Sequence, residues 1–600
     1  MAKINKLLKE LIELGIKDSF AKKIYKEYGD ASMDLIRENP YRLMEDFSGL
    51  PFHEVDSLAA KLFLEPEDKR RIVSGIYYGI NKLTENGSTC VPVSLLLENV
   101  GPSILDISME DVEISLQGMA KNGLIVVEEV DGVDMVYNTQ IYESEASVAE
   151  RLVQMSQNPG KLIARDLEGL LSFIQRDTGV ILSETQKTTI QAVMAHRVSV
   201  ITGGPGTGKT TIINGVIHLL KAAGEKTAIC APTGRAAKRI KEATGNSATT
   251  IHRLLEAELD EEGHSVYFRR CQNNLLELDA VIVDESSMLD IYLMEALLDA
   301  LPPSTRLVLV GDVDQLPPVG PGRVLKDIIQ SGTIPTFFLK EIFRQSKESL
   351  IVNNAHRINK GEYPKNGDGT SDFFIHSTKT HILQSILDWM MGKSVEGIDF
   401  PVNPRDIQVI TMTKNGPYGT LALNTKLQNE INPPTVDKTQ IQDWQGRIFR
   451  VGDKVMQTKN NYQLEWKSTQ DFSDGLGVFN GEIGEIENID LDCKQIGVVY
   501  DESRYVIYQP DQWLNLDLAY AITVHKSQGS EFPGIIMPLV WTTPKLAHRN
   551  LLYTAITRGR DKVVLVGSER MLNSMVDNYQ GDQRQTGLAY RLLSGGQNEV

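Results

Sequence analysis

A glycine-rich loop at residues 203–210 has the residue pattern of a phosphate-binding site. Its sequence, Gly203-Gly204-Pro205-Gly206-Thr207-Gly208-Lys209-Thr210, matches GxxxxGK[ST] in full. The loop follows the apolar run Val198–Ile201 and precedes a helical pattern that begins at Thr211. Backbone N–H groups of such a loop surround phosphate oxygens, the lysine reaches the β- and γ-phosphates, and the final hydroxyl is a ligand of Mg²⁺. The segment therefore predicts a site for ATP and Mg²⁺ that extends to Thr211.

Two adjacent carboxylates, Asp284 and Glu285, follow the apolar run Val281–Val283. In ATPases with this kind of loop, the first acid of such a pair holds Mg²⁺, directly or through water. The second acid is then placed to polarise the attacking water. We expect Asp284 and Thr210 to hold the metal ion and Glu285 to act in catalysis.

Short apolar runs that alternate with helical patterns indicate the elements that hold these residues. This alternation is typical of buried parallel strands in α/β sheets. The first set of runs is Val198–Ile201, Thr227–Cys230, Ala280–Val283 and Arg306–Val310, and the second is Ile407–Ile410, Ala519–Thr523, Gly534–Pro538 and Lys562–Val566. We expect two α/β domains, over residues 183–340 and 341–590, preceded by a helical linker over residues 151–182.

The remaining segments predict smaller domains. Residues 1–85 have the pattern of short helices, and residues 86–150 have the helix-then-hairpin pattern of a winged helix, with its turn at Asp131-Gly132. Residues 450–515 contain short strand-like runs with turns at Asn480-Gly481 and Leu491-Asp492. They predict a small β-barrel inserted in the second α/β domain.

The composition excludes several classes of protein. The chain has 600 residues, of which 41% are hydrophobic and 24% charged, so it is neither disordered nor fibrous. Its apolar runs are too short to span a bilayer, and we expect no signal peptide. The four cysteines are scattered, which favours reduced thiols and a cytoplasmic protein without membrane contacts.

The net charge of −17 argues mildly against a nucleic-acid binder, because such proteins usually show a basic footprint. The charge is unevenly distributed, however. Arg235, Lys238, Arg239 and Lys241 form a basic run with no acid between them, and an acidic run follows at residues 256–262. This arrangement predicts a narrow basic track rather than a basic face.

Further segments, in chain order, resemble the motifs of one family of motor proteins. They are Ser183–Gln186, Ala231–Arg239, Thr250–Leu255, Gly311–Gly320, Phe343–Gln345, Thr523–Phe532 and Leu552–Arg560. Together with the phosphate loop they resemble the RecD-type DNA helicases of superfamily 1B, over nearly the whole chain. The closest resemblance is to their stand-alone long form, with fewer residues before the helical region. This implies two RecA-like domains with an inserted SH3-like barrel.

The resemblance also implies roles for single residues at the nucleotide. Gln186 would bond the adenine edge, and Glu531 would contact the ribose. Gln315 would sense the γ-phosphate. Arg344 and Arg558 would act as arginine fingers, because a planar, permanently charged guanidinium stabilises the spreading charge of a phosphoryl group.

The expected DNA contacts come from the same motifs. A protein that tracks one strand without sequence preference places hydroxyls, amides and cations on phosphates and flat groups against bases. The resemblance implies these contacts at Pro232, Thr233, Arg235, Thr250, His252, Thr413, Thr523 and His525. It also implies a strand-separating β-hairpin, here called the pin, at about residues 255–275 with a turn at Glu262-Gly263. An acidic solvated loop is the alternative there.

In two places the sequence departs from the family pattern. The helix-hairpin-helix glycine after Gly49 is replaced by Pro51, and the one after Gly15 by Lys17 or Asp18. DNA binding by this region and a structural or partner-docking role both stay open.

The implied function is an ATP-dependent DNA helicase that translocates on single strands, with 5′-to-3′ polarity taken from the family. The alternative is a DNA-stimulated ATPase that remodels protein–DNA complexes without productive unwinding. We expect a monomer that binds single-stranded DNA and single-strand/duplex junctions, with a single-stranded-DNA-binding protein or a repair or replication protein as partner.

Overall fold

The structure is a computed structural model that describes residues 2–47, 50–157, 169, 171–172, 175–176, 181–259, 266–343, 348–378, 380–400, 402–471, 473–501, 503–579 and 583–597. The chain divides into two compact units. The first comprises Met1–Ser147, Gly320–Gly322 and Arg584–Arg591, and the second comprises Val148–Val319, Arg323–Gln583 and Leu592–Val600.

Short amphipathic helices build most of the first unit. They are α1 (Ala2–Glu13), α2 (Asp18–Tyr28), α3 (Ser32–Glu38), α4 (Arg42–Asp46), α5 (Phe52–Lys61), α6 (Lys69–Thr84), α7 (Val93–Asn99) and α8 (Met109–Lys121). Their apolar residues, such as Leu11 and Ile76, are buried in one shared core. The Asp68 side chain accepts a hydrogen bond from the Arg70 N–H and so caps α6.

The hairpin predicted after α8 is confirmed. Strands β2 (Ile125–Val130) and β3 (Val133–Asn138) pair antiparallel, and β1 (Cys90–Pro92) adds to β3. The turn residues Asp131 and Gly132 have φ of 50° and 80°, as a two-residue hairpin turn requires.

A segment from the far end of the chain completes the first unit. The buried Glu145 carboxylate accepts hydrogen bonds from the Thr89 hydroxyl, at 2.7 Å, and from the Gly587 N–H, at 3.1 Å. Arg591 forms an ion pair of 2.6 Å with Glu128, and its guanidinium lies 4.2 Å from the Tyr142 ring centroid. Residues 584–591 are therefore part of the packed structure of the first unit.

The second unit contains a six-stranded parallel sheet in the order β11-β4-β10-β9-β5-β6. Its strands are β4 (Val198–Gly203), β5 (Thr227–Ala231), β6 (Thr249–Thr250), β9 (Ala280–Val283), β10 (Arg306–Gly311) and β11 (Thr336–Leu339). The helices of this first α/β domain are α10 (Glu184–Ala195), α11 (Lys209–Ala222), α12 (Gly234–Thr244), α13 (Ile251–Leu254), α14 (Ile291–Asp299) and α15 (Val324–Ser331), and α9 (Thr139–Gln157) precedes them. The four predicted parallel strands are confirmed.

A five-stranded parallel sheet, in the order β12-β25-β24-β13-β23, forms the second α/β domain. Its strands are β12 (Phe373–Ser377), β13 (Ile407–Thr411), β23 (Ala521–Thr523), β24 (Phe532–Leu539) and β25 (Gly559–Gly567). The helices of this part of the chain are α16 (Leu350–Asn359), α17 (Ile382–Met390), α18 (Thr420–Ile431), α19 (Arg549–Ile556), α20 (Glu569–Asp577) and α21 (Leu588–Gln597). Apolar clusters cover both faces of the sheet, as buried parallel strands require.

An antiparallel sheet of seven strands is inserted in this domain, in the order β18-β17-β21-β20-β19-β16-β22. The strands are β16 (Lys454–Gln457), β17 (Asn461–Ser468), β18 (Asp474–Val478), β19 (Ile483–Asp490), β20 (Gln495–Tyr500), β21 (Arg504–Tyr508) and β22 (Leu516–Leu518). We call this sheet the inserted β-domain. Its pairings among the described residues do not close into a ring. Two short ribbons are separate from it: β14 (Gln440–Gln442) with β15 (Ile448–Arg450), and β7 (Ala257–Leu259) with β8 (Val266–Phe268).

The four cysteines are free thiols, as expected. In the described part of the chain, no helix combines the length and the apolar character needed to cross a membrane.

Candidate nucleotide site and DNA interface

The glycine-rich loop connects β4 to α11 at the carboxyl edge of the six-stranded sheet. Gly206 and Gly208 have φ of 73° and 79°, values at which a side chain would be strained. The Lys209 ammonium donates to the carbonyls of Gly203, at 2.5 Å, and Gly204, at 3.2 Å. The ammonium therefore lies within the curve of its own loop, where the motif requires a phosphate. Thr210 and Thr211 follow in the first turn of α11.

Gln186 lies beside this loop, as predicted for a residue that contacts the nucleotide. It is buried and forms a capping box with Ser183, in which its side-chain carbonyl accepts from the Ser183 N–H at 3.0 Å. Its Nε2 atom and the Phe343 ring lie so close to Gly208 that a side chain at that position would collide with both. The predicted arginine finger at Arg344 lies outside the described residues.

Asp284 and Glu285 stand at the end of β9, two strands from the loop. Burial and the neighbouring Glu285 raise the pKa of Asp284 to about 6. Burial opposes ionisation of Glu285, but Arg558, Arg239 and Lys209 together hold the pKa of Glu285 below its ordinary value. The second acid is therefore a carboxylate at neutral pH, as a group that polarises water must be.

The donor set suits Mg²⁺ rather than a metal held by protein alone. A half-buried carboxyl at Asp284 and a hydroxyl at Thr210 lie at the carboxyl edge of this sheet, and Mg²⁺ takes one or two such oxygens together with substrate phosphates. No cluster of three or more metal-binding side chains occurs among the residues that the structure describes.

Arg558 brings the second α/β domain to the carboxylates. It follows α19, is almost fully buried, and its Nη1 atom lies 4.0 Å from Glu285 Oε1. It donates to the carbonyls of Thr554 and Ser530, each at 3.3 Å. Glu531, which is predicted at the ribose, pairs with Arg239, whose Nη2 atom lies 2.5 Å from Glu531 Oε1. Its ribose contact stays a prediction.

The segment Gly311–Gly320, which we call motif III, links the two α/β domains. The Gln315 Nε2 donates to Asp312 Oδ2 at 3.3 Å, and Tyr553 donates to the same oxygen at 2.7 Å. The Leu316 N–H donates to the Thr554 hydroxyl at 2.9 Å. The Gln315 Oε1 atom is buried without a hydrogen-bond partner among the described residues, so it is free to accept from a ligand.

The sequence analysis did not identify four residues of this site: Asp312, Tyr553, Arg239 and His356. The His356 Nε2 atom, on α16, lies 3.4 Å from the Pro205 carbonyl, and burial lowers the pKa of this imidazole. The contacting residues stand 151 positions apart in that pair and 241 in the Asp312–Tyr553 pair. No spacing signal could have found these two contacts, because they exist only where the two α/β domains meet.

In the first α/β domain, the hydroxyls that were predicted to contact DNA cap the N-termini of two helices. Thr233, which follows Pro232, accepts from the Ala236 N–H at the start of α12, and Thr250 accepts from the Arg253 N–H at the start of α13. The His252 ring lies 5.8 Å from the Phe268 ring and 6.2 Å from the Tyr462 ring. Burial lowers the pKa of His252, so it is a neutral flat group at pH 7.

In the second domain, the predicted contacts lie where parallel strands end. Thr411 of β13 pairs with Thr523 of β23, so Thr413 and Thr523 stand at the carboxyl ends of neighbouring strands. The Thr523 hydroxyl accepts from the Lys526 N–H at 3.3 Å, and His525 begins the short turn that follows.

Three cations of the basic run on α12 contact other side chains of the protein. Arg235 donates to the Ser530 hydroxyl at 2.7 Å, and burial lowers the pKa of its guanidinium to about 10. Lys238 pairs with Asp501 of the inserted β-domain at 2.5 Å, and Arg239 pairs with acids on both α/β domains. These three cations are therefore engaged by other side chains, and Lys238 and Lys241 are the exposed members of the run. The basic track stays a prediction. A DNA contact at Arg235 stays a prediction.

The two flanks of the predicted pin pair as strands β7 and β8, with Leu259 opposite Val266. The predicted turn at Glu262-Gly263 lies outside the described residues.

Four family models match parts of the chain. They are an ATP-dependent RecD2 DNA helicase HHH domain over residues 1–90, an AAA domain over 186–321, an ATP-dependent RecD-like DNA helicase SH3 domain over 423–500 and a UvrD-like helicase C-terminal domain over 518–566.

Curated proteins of the same kind match over most of the chain. The ATP-dependent RecD2 DNA helicase of Deinococcus radiodurans is 30% identical over 573 residues, which cover 94% of this chain and 74% of that protein. The RecBCD enzyme subunit RecD of Mycolicibacterium smegmatis is 28% identical over 553 residues, covering 85% and 92%. Among solved structures, a Bacteroides Pif1 bound to single-stranded DNA is 20% identical, with a TM-score of 0.39 over 64% of this chain and 92% of that one.

Proposed function

Because the chain belongs to the family of ATP-dependent RecD2 DNA helicases, we propose that it moves 5′ to 3′ along one DNA strand and separates the duplex ahead of it. ATP-dependent helicase activity is the property of the family. The polarity and the residue roles below are proposals. The polarity is taken from the family, and the observation that carries the residue roles is the approach of Arg558 from one α/β domain to Glu285 of the other, at 4.0 Å.

Nucleotide binding begins at the loop of residues 203–210. The Lys209 ammonium exchanges the carbonyls of Gly203 and Gly204 for phosphate oxygens, while the N–H groups of the loop and the N-terminus of α11 face the same anion. Gln186 lies beside Gly208, where it can bond a base edge. Glu531 reaches the ribose after it separates from Arg239.

Hydrolysis uses residues of both domains. Asp284 and Thr210 would hold Mg²⁺, which supplies charge neutralisation on the β- and γ-phosphates when bound. Glu285 orients and polarises the attacking water, because it is ionised and lies next to Asp284. Arg558, with Arg344, stabilises the charge that develops on the transferred phosphoryl group.

Motif III transmits the nucleotide state to the second domain. The free Gln315 Oε1 accepts from the γ-phosphate end of the site, and the same side chain donates to Asp312, which Tyr553 also contacts. A change at the γ-phosphate therefore shifts a hydrogen-bonded connection between domains. Closing and reopening of the cleft alternates the grip on the strand.

The DNA path consists of hydroxyls, neutral rings and few free cations. Thr233 and Thr250 lie in one α/β domain, and Thr413, Thr523 and His525 in the other, so each domain has its own contacts to the strand. A binding path with few free cations favours a single strand over a duplex, because a duplex carries a higher density of phosphate charge. We propose single-stranded DNA and single-strand/duplex junctions as substrates of a monomer.

The test uses a forked duplex and two proteins, the wild type and Glu285→Gln. The proposed function predicts ATP-dependent strand release by the wild type and a loss of at least about 100-fold in the variant, since a positioned proton acceptor contributes roughly 10²–10⁴ in rate. Wild-type ATP hydrolysis stimulated by DNA without strand release would instead establish the remodelling alternative. Equal strand release by both proteins would overturn the role of Glu285.

A further inference from the structure

Arg239 contacts two acids of the site, and the sequence motifs assign it no role at the nucleotide. It lies on α12, five residues after the start of the helix at Gly234. Its Nη1 atom is 3.3 Å from Glu285 Oε1, and its Nη2 atom is 2.5 Å from Glu531 Oε1. One guanidinium therefore bridges the water-polarising acid of the first α/β domain and an acid of the second.

We propose that Arg239 is a positioning residue that restrains Glu285 while no DNA is bound and releases it when a strand binds at the start of α12. This inference rests on the proposed function, because it assigns Glu285 to the attacking water and Thr233 to the DNA. It adds the means by which DNA stimulates hydrolysis.

The restraint follows from hydrogen-bonding capacity. A carboxylate oxygen that accepts from a guanidinium N–H is held in one orientation and has less capacity left for a water proton. Bridging two acids requires two N–H groups that diverge from one rigid plane, which arginine has and lysine lacks. Glu285 is only 6% exposed, so water does not compete strongly for its oxygens.

The release follows from what covers the start of α12. Glu482 Oε1 lies 3.2 Å, and Phe479 Cβ 3.3 Å, from the position that a Cβ atom would take on Gly234. A DNA phosphate that approaches the Thr233 cap meets the Glu482 side chain, which is held there by an ion pair of 2.9 Å with Arg504. The strand can bind there only when α12 and this turn of the inserted β-domain move apart.

Such a movement reaches Arg239 because α12 is a rigid element. Lys238, the preceding residue, pairs with Asp501 at 2.5 Å and is a second contact between the helix and the inserted β-domain. A cavity of about 520 Å³ borders the helix, the turn at Phe479 and Glu482, and Glu531, so the helix has space in which to move. Arg239 lies about 7.5 Å along the axis from Gly234, at 1.5 Å per residue, and shifts with it.

The experiment compares wild type, Arg239→Ala, Arg239→Lys and Lys221→Ala in the full chain. Lys221 is the control, because it is an exposed cation on the neighbouring helix α11 and lies outside the basic run. Two quantities are measured: the ATP hydrolysis rate with and without saturating oligo(dT), and the Kd for oligo(dT) without nucleotide. Glu285→Gln serves as the catalytically deficient reference.

We expect Arg239→Ala to raise the DNA-independent rate about fivefold or more and to reduce the stimulation by DNA by a similar factor, the range of ordinary site-to-site coupling. Because DNA no longer has to break the contacts of Arg239 before it binds, the variant should also bind oligo(dT) more tightly, although it has lost a cation. Arg239→Lys should be intermediate. Lys221→Ala should leave both rates within about twofold and should not tighten binding.

A fall of both rates of Arg239→Ala by the same factor, or unchanged stimulation, would overturn the inference while leaving the proposed function intact. Weaker oligo(dT) binding by this variant would also overturn it. An absence of DNA stimulation in the wild type would contradict the proposed function itself.

Discussion

Tyr553 donates its phenolic hydrogen to Asp312, with 2.7 Å between the hydroxyl oxygen and Oδ2, and thereby joins α19 of the second α/β domain to motif III of the first. Burial and the Asp312 carboxylate raise the pKa of Tyr553 far above its usual value, so the phenol keeps its proton. The same carboxylate oxygen accepts from Gln315, so one atom connects the proposed γ-phosphate sensor to the other domain.

Tyr553→Phe keeps the ring and removes this hydrogen bond. The expected destabilisation is about 1–3 kcal/mol, because a buried carboxylate loses a donor. The number of base pairs unwound per ATP should also fall. Thermal unfolding and a coupled ATPase–unwinding assay measure the two effects.

Tyr520→Phe is the control. Tyr520 donates a similar hydrogen bond to the buried Asp453, at 3.0 Å, and this bond lies outside motif III. It should lose comparable stability with an unchanged unwinding yield per ATP. Equal yields in both variants would contradict the coupling role of Tyr553.

Lys209→Ala should reduce ATP hydrolysis by at least about 100-fold, the loss typical of one preorganised charge contact in an active site. The ammonium lies inside the phosphate loop, so no neighbouring side chain replaces it. Lys221→Ala, at the other end of α11, should retain wild-type hydrolysis. Undiminished turnover by Lys209→Ala would refute the assignment of the loop.

Arg558→Lys keeps the positive charge and removes the planar array of N–H groups. Since arginine fingers contribute roughly 10³–10⁵ in rate, we expect a loss of kcat near the lower end of that range with little change in ATP affinity. Arg560→Lys, which alters an exposed ion pair with Asp561, is the control. Quenched single-turnover measurements of ATP hydrolysis compare the two variants. Equal rates would exclude Arg558 as an arginine finger.

How far the sequence predicts this molecule depends on whether the signal is local. The loop of residues 203–210 and the strands around it are encoded by contiguous glycines and apolar runs, so their positions were predictable. The hairpin turn at Asp131-Gly132 is equally local. These predictions are confirmed because a few adjacent residues decide the conformation.

The bridging contacts of the site were not predictable for the opposite reason. Arg239 looked like a free cation for DNA, since its partners Glu285 and Glu531 are distant in sequence. No periodic pattern in the sequence predicts that residues 584–591 pack in the first unit. This packing depends on the pairing of Arg591 with Glu128 and on the bond from Gly587 to Glu145.

Glu145→Ala tests that packing. The Glu145 carboxylate also lies 3.6 Å from the Arg591 Nε atom. Its removal costs about 3–5 kcal/mol, because the buried Arg591 guanidinium loses one of its two acidic partners and the Thr89 and Gly587 donors lose their acceptor. We expect faster proteolytic cleavage within residues 1–147, measured by limited proteolysis. The exposed Glu143→Ala should be cleaved like the wild type, and equal cleavage of both variants would show that the segment does not stabilise the unit.

The proposed 5′-to-3′ unwinding is measured most directly by strand displacement. The two duplexes differ only in the polarity of a single-stranded tail, and each is tested with and without ATP. We expect ATP-dependent strand release from the 5′-tailed duplex and little release from the 3′-tailed one. Release from the 3′-tailed duplex alone would contradict the proposed polarity.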